Sequence, residues 1–236
     1  MKTAEQIINE LMGISNKKIA EHSQKFFKTG KGEYGEGDIF LGIRVPELRK
    51  ISQKYQSLPL NSLESLITSP YHEVRLLALY LLVLKYKKAQ TEEQQKEICD
   101  FYLTHSTGVN NWDLVDASAH YILGPFLMNK DRSLLWEMAR SNDLWQKRIS
   151  IMSTFHFIKN LQFNDTLRIA EILLHDTHDL IHKAVGWMLR EIGNRDKAVE
   201  EVFLLKHYRS MPRTMLRYAI EKFPPAERRN YLEGKV

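Results

Sequence analysis

Helical periodicity, repeated along the chain with almost no competing strand pattern, most narrows what this sequence can fold into. Apolar residues recur at three- and four-residue spacing in Leu66-Ile67, His72–Tyr86, Leu144–Ile158, Leu167–Leu174, Leu180–Ile192 and Thr214–Phe223. No run alternates apolar and polar residues between turn signals, so strands find no footing. Helix punctuation falls at Ser69-Pro70, Gly124-Pro125, Gly193-Asn194, Met211-Pro212 and Phe223-Pro224-Pro225. Connections this short imply antiparallel neighbours. The predicted fold is all-α, one domain over residues 1–236.

The helices also repeat. Segments centred on Val74-Arg75, Val115-Asp116, Lys147-Arg148, His182-Lys183 and Leu216-Arg217 align on their second residue at spacings of 41, 32, 35 and 34. Helix pairs at such a period match the HEAT-like and armadillo-like class of solenoid, in which stacked repeats build a concave face. Arg75, Asp116, Arg148, Lys183 and Arg217 are then expected in a row, four cations with one central carboxylate. Trp112 precedes Asp116 by four residues, Trp187 follows Lys183 by four, and Arg190 extends that stripe. Such a groove suits a polyanion: cations grip phosphates, indole faces take a cation or sugar C–H groups, and the carboxylate stabilises nascent positive charge.

Charge supports this unevenly. The 34 Lys and Arg against 29 Asp and Glu leave +5, all of it in residues 119–236. Cys99 is the single cysteine, which excludes a disulfide framework and a Cys-based zinc site and fits a reducing cytosol. The longest apolar stretch, Leu76–Leu84, is about half of what a bilayer needs. The N-terminus carries acids and lacks the pattern of a signal peptide. A soluble cytoplasmic protein, nucleoid-associated when acting, is expected.

Phe40-Leu41-Gly42-Ile43-Arg44-Val45-Pro46-Glu47-Leu48-Arg49, Trp112-Asp113-Leu114-Val115-Asp116, Trp145-Gln146-Lys147-Arg148 and Ala184-Val185-Gly186-Trp187-Met188-Leu189-Arg190-Glu191 together resemble the bacterial AlkD-type DNA alkylation repair family. The likeness spans nearly the whole chain in order. It implies a HEAT-like-repeat DNA glycosylase excising positively charged N3- and N7-alkylated purines without flipping the base into a pocket. The family's catalytic aspartate falls on Asp116, its tryptophans on Trp112 and Trp187, and its phosphate-binding arginine on Arg148. Arg44, Lys183, Arg190, Arg213 and Arg217 are the remaining expected DNA contacts. An N-terminal aromatic contact is implied among Phe26, Phe27 and Tyr34. No cofactor or metal is expected; the expected partner is alkylated duplex DNA and the expected state a monomer.

Plainer readings stand beside these. Asp116 with Arg148 also fits an inter-repeat salt bridge, and Trp187 fits plain core. Trp136 and Trp145 read as packing. Asp113 is the weaker carboxylate, expected to point away from Trp112 and to serve the helix dipole. Gly30-Lys31-Gly32-Glu33-Tyr34-Gly35 satisfies the dinucleotide pattern formally but follows no strand, so it reads as a flexible turn whose N–H groups approach phosphate. Pro46 fits the first helical position, with Arg44 beside it at the DNA rim. His175, His178 and His182 read as a solvated helix start rather than a metal site. Two other classes remain: a catalytically silent paralogue binding damaged or branched DNA, and an adaptor for acidic peptides, which has no reason to assemble Trp112, Asp116, Arg148 and Trp187.

Overall fold

The computed structural model describes residues 3–236, and among them secondary structure is helical apart from one isolated bridge between Ile39 and Tyr71. The chain divides into two compact units, Met1–Ile122 and Leu123–Val236.

The first unit opens with α1 (Ala4–Gly13), started by a reciprocal Thr3/Gln6 capping box, and α2 (Lys17–Phe26), capped by Asn16. A long irregular stretch leads to α3 (Val45–Lys54), where Pro46 is the second helical residue rather than the first. After α4 (Glu64–Ile67), Ser69-Pro70 breaks the chain before α5 (His72–Lys88), which is buried on nearly every side. Helices α3, α4, α6 (Glu92–Thr104) and α7 (Trp112–Asp116) all pack on α5. That arrangement explains why its sequence is apolar almost all round. No helix among the described residues is long and apolar enough to cross a membrane.

Helix α8 (Ala119–Phe126) carries the division between the units and runs through Gly124-Pro125, the one expected break that fails. Pro125 lacks the N–H that would bond the Tyr121 carbonyl, and the helix ends one residue later. The second unit continues with α9 (Ser133–Ala139), α10 (Leu144–Ser153), α11 (Phe155–Lys159), α12 (Asn164–Ile172), α13 (Asp179–Gly193), α14 (Lys197–His207), α15 (Arg213–Ala219) and α16 (Pro225–Glu233). Helix α10 packs on α13 and α13 on α15, forming one layer; α9 and α12 back it, and α14 packs on α13. This repeat-like stacking of helix pairs is the predicted fold class. The close approach of α13 and α15 depends on Gly186, where a Cβ would come within 2.4 Å of the Met215 carbonyl oxygen.

The side chains expected in one row differ widely in exposure. Arg75 and Arg148 are each only 4% exposed, Asp116 and Lys183 are half-buried, and Arg217 is exposed. Equivalent repeat positions share a helix location, but the neighbours packed over that location differ. Around Arg75 they are the Ser69 carbonyl and the Asp38 carboxylate, both of which accept from its guanidinium.

Candidate active site

Helix α7 is only five residues long, yet both of its ends are specified. Asn111 precedes it in extended conformation and accepts from the Trp112 N–H at 2.8 Å. Trp112 and Asp116 begin and end it, four residues apart and therefore on one face, and both are half-buried. The Trp112 ring stacks on Phe27 at 5.2 Å between centroids and 16° between planes, and Phe26 meets it edge-on at 6.1 Å. Phe26 is 59% exposed although it is a large apolar residue. Asp116 lies near the phenol of Tyr102, which burial pushes upward in pKa and the Asp116 charge pushes further.

Behind this face lies an ionic core. Burial works against ionising Asp38, but hydrogen bonding to His72 and the charge of Arg75 hold its carboxyl below the usual range. His72 lies between Asp38 and Asp113, and Asn111 Nδ2 also donates to Asp38 at 3.2 Å. The adjacent Glu73 carboxylate accepts the N–H groups of Leu41, Gly42 and Ile43 at 2.8–3.2 Å. This contact fixes the first motif: Gly42 has φ +78°, and a Cβ there would come within 2.1 Å of the Asn16 carbonyl oxygen. The motif therefore reaches Arg44 in a set direction, exposed on the rim of a cleft of about 680 Å³ whose wall includes Phe27, Phe40 and His72. Lys18 and His22 line the same cleft.

The second unit carries the remaining candidates on successive helices of one layer. Arg148 on α10 directs Nη1 to the Leu180 carbonyl at 2.6 Å, tying α10 to the start of α13. On α13, Lys183 pairs with Asp179 at 2.6 Å, Trp187 donates from Nε1 to Glu191 at 3.2 Å, and Arg190 donates to Glu221. Trp187 also lies 6.0 Å from the Phe155 ring. Arg213 and Arg217, on α15, are exposed.

A family model described as DNA alkylation repair enzyme matches residues 7–223. The chain belongs to the DNA alkylation repair enzyme family. Among solved structures, the chain is similar to one titled a predicted DNA alkylation repair enzyme from Enterococcus faecalis. The TM-score is 0.69 at 15% identity, covering 89% of this chain and 97% of that one. At that identity the likeness speaks for the fold. No curated protein matches the chain.

Within this family member several local readings change. Asp113 lies in the first turn of α7 with its Oδ1 accepting from the Leu114 N–H, but its Oδ2 also accepts from His72 Nε2 at 2.9 Å, a contact the helix-dipole reading does not include. The glycine-rich turn offers fewer N–H groups than expected, because Gly30 and Gly32 already donate to Glu33 and Glu36 carboxylates. Trp136 is more than packing, since its Nε1 donates to Asp165 and Arg168 lies 3.6 Å above its ring. His178 caps α13 through Nδ1, and His182 bonds the Asp176 carbonyl. Among the described residues no His, Cys, Asp and Glu side chains group as a metal site. Phe27, Asp38 and His72 are the residues that sequence reasoning missed or left unplaced. The aromatic pair Phe26-Phe27 was a signal for the first; nothing periodic marks the other two.

Proposed function

We propose that this family member is a monofunctional DNA glycosylase that removes cationic N3- or N7-alkylated purines from duplex DNA and leaves an abasic site. The observation that carries the reading is α7. It holds an indole, propped flat against Phe27 and still half-open, one turn from a half-buried carboxylate.

The chemistry asks for little else. An alkylpurine cation leaves as a neutral base when the C1′–N bond breaks, so no general acid is needed. The bonding pair goes to the base, and the sugar becomes oxocarbenium-like. Asp116 stabilises that charge more strongly in the transition state than in the ground state, which is what accelerates the step. Water then adds to C1′ and gives its proton to Asp116 or to solvent. Trp112 contacts the lesion-bearing nucleotide through its π face, and Trp187 is assigned the same kind of contact. Arg44, Lys183, Arg190, Arg213 and Arg217 hold phosphates without drawing the base into a pocket. Arg148 serves the backbone through the position it gives α13.

The test is release of 7-methylguanine or 3-methyladenine from methylated duplex by wild type and by Asp116→Asn. Loss of about a hundredfold or more is expected in the variant. Equal release by both removes Asp116 from the mechanism. Absence of release by wild type, with DNA binding retained, makes the chain a silent binder of damaged DNA.

A further inference from the structure

His72 opens α5 and is 1% exposed, so its ring is fixed by what surrounds it. Its Nδ1 lies 3.0 Å from Asp38 Oδ2 and its Nε2 lies 2.9 Å from Asp113 Oδ2. A neutral imidazole carries one N–H and can donate to only one of these carboxylates; two acceptors call for the imidazolium.

Two chains of contact run from this ring to Trp112. Along the backbone side, Asp113 follows Trp112 in α7, and Asn111 precedes it. Asn111 accepts from the Trp112 N–H while donating to the same Asp38 oxygen that faces His72. Along the ring side, Phe40 stacks on His72 at 4.3 Å and 20°, Phe27 on Phe40 at 4.9 Å and 22°, and Trp112 on Phe27. Phe27 also meets His72 directly, at 5.1 Å and 40° between planes, so the three rings form a cluster that reaches Trp112 through Phe27.

We propose that His72 is a positioning residue for α7: it sets the direction of Trp112, and of the helix face that carries Asp116, through both the ring cluster that Phe27 joins to Trp112 and the carboxylates that grip its two nitrogens. For its activity consequence this rests on the glycosylase reading; for its structural consequence it does not.

The protonated state is maintained across neutral pH. Burial alone would lower the His72 pKa, but the charge and hydrogen bond of Asp113, with those of Asp38, raise it to about 9. Other charged groups face the ring from Glu73 and Arg75 on α5, Lys18 and His22 on α2, and Arg44 before α3. Glu73 is occupied by backbone N–H groups and Arg75 by Asp38, while Lys18, His22 and Arg44 are exposed at the cleft rim. The carboxylates at hydrogen-bond distance therefore govern the proton.

The experiment follows Trp112 and His72 separately in the full chain. The Trp112 signal is the fluorescence of wild type minus that of Trp112→Phe from pH 6 to 10, and the His72 nitrogens are followed by NMR. The Trp112 signal is expected to move with the same midpoint as His72, near 9. Excision is expected to fall over the same range through kcat, with KM within about twofold. His72→Gln should erase the titrating part of the Trp112 signal and lower kcat roughly tenfold to a hundredfold, the scale of a small misplacement at a reacting centre. Should His72→Gln fail to fold, Asp113→Asn keeps an acceptor but removes the charge, and both midpoints should drop together by about one pH unit or more. A Trp112 signal that stays flat while His72 deprotonates overturns the proposal. So does an unchanged midpoint in Asp113→Asn, or full kcat in a folded His72→Gln. Wild type that tracks His72 but excises nothing leaves the positioning role standing and sinks only the glycosylase reading.

Discussion

The two units handle charge in opposite ways. Residues 1–122 hold 15 basic and 15 acidic side chains, and several of these face inward: Asp38, His72, Glu73 and Arg75 are all 5% exposed or less. Residues 123–236 hold 19 basic and 14 acidic side chains, and apart from Arg148 and Glu200 nearly all lie at the surface or half-buried. Buried ion networks add little net stability against an apolar core, but they penalise every arrangement that leaves one partner alone. Surface charge does the reverse: it fixes no geometry and sets a long-range field. Under the proposed function, the first unit supplies geometry and the second attraction for a polyanion.

The largest effect expected from that contrast is in the ionic core. Asp38→Ala strands Arg75 and one nitrogen of His72 in a buried site, and should cost about 3–5 kcal/mol in urea unfolding. Lys183→Ala removes a half-exposed pair with Asp179 and should cost under about 1 kcal/mol. Similar losses for the two would erase the distinction between the units.

Glu200 is the exception that sharpens it. It sits in the first turn of α14 at 1% exposure, and Oε1 has no hydrogen-bond partner among the described residues. Burial, then the Glu201 charge, raises its pKa to about 8 against the pull of Arg190 and Lys197. A carboxyl with a raised folded-state pKa binds its proton more tightly in the native state. Its contribution is therefore intact at pH 4 and is lost as pH climbs from the ordinary carboxyl range through about 8. Glu200→Gln should match wild type at pH 4 and exceed it by on the order of 5 kcal/mol at pH 9. His72 slopes the same way at higher pH, its stabilisation fading as pH rises from 6.5 through about 9, and it will still do so in that variant. Parallel pH curves for wild type and Glu200→Gln would mean that Glu200 is ionised in the fold.

Much of this architecture was legible from local chemistry. Gly193 ends α13, Pro212 precedes α15 and the apolar run after Pro70 is α5, because capping and breaking are decided within a turn of chain. Leu144–Ile158 read as one helix but is two. Ser153 and Thr154 turn their hydroxyls back to the Ile149 and Ile151 carbonyls at the break, a competition that periodicity does not register. The pairing of Trp112 with Asp116 was legible for the same reason as the caps, being one helical turn. The ionic core was not. His72 meets Asp38 and Asp113 across 34 and 41 residues of sequence, and Asp38 lies in an irregular segment with no repeat to place it. Repeat arithmetic even put Arg75 in a groove, because it gives the position on a helix and not what packs over that position.

The smallest effects test the second unit's field. Arg213 and Arg217 are exposed on α15, whereas Arg190 is engaged by Glu221 and only 17% of its side chain is open. Each exposed arginine that contacts phosphate releases about one counterion on binding. Arg213→Ala and Arg217→Ala should therefore each lower the slope of log K against log salt by about 0.9, with stability unchanged within about 0.5 kcal/mol. Arg190→Ala removes a cation whose charge is already partly answered and frees Glu221 to repel the backbone, so its slope change should be smaller while its affinity loss at low salt is comparable. Titration of an undamaged duplex at several salt concentrations separates these outcomes. Equal slope changes for all three would show that Glu221 lets go of Arg190 when DNA arrives. No change for either α15 arginine would move the phosphate-binding face off that helix.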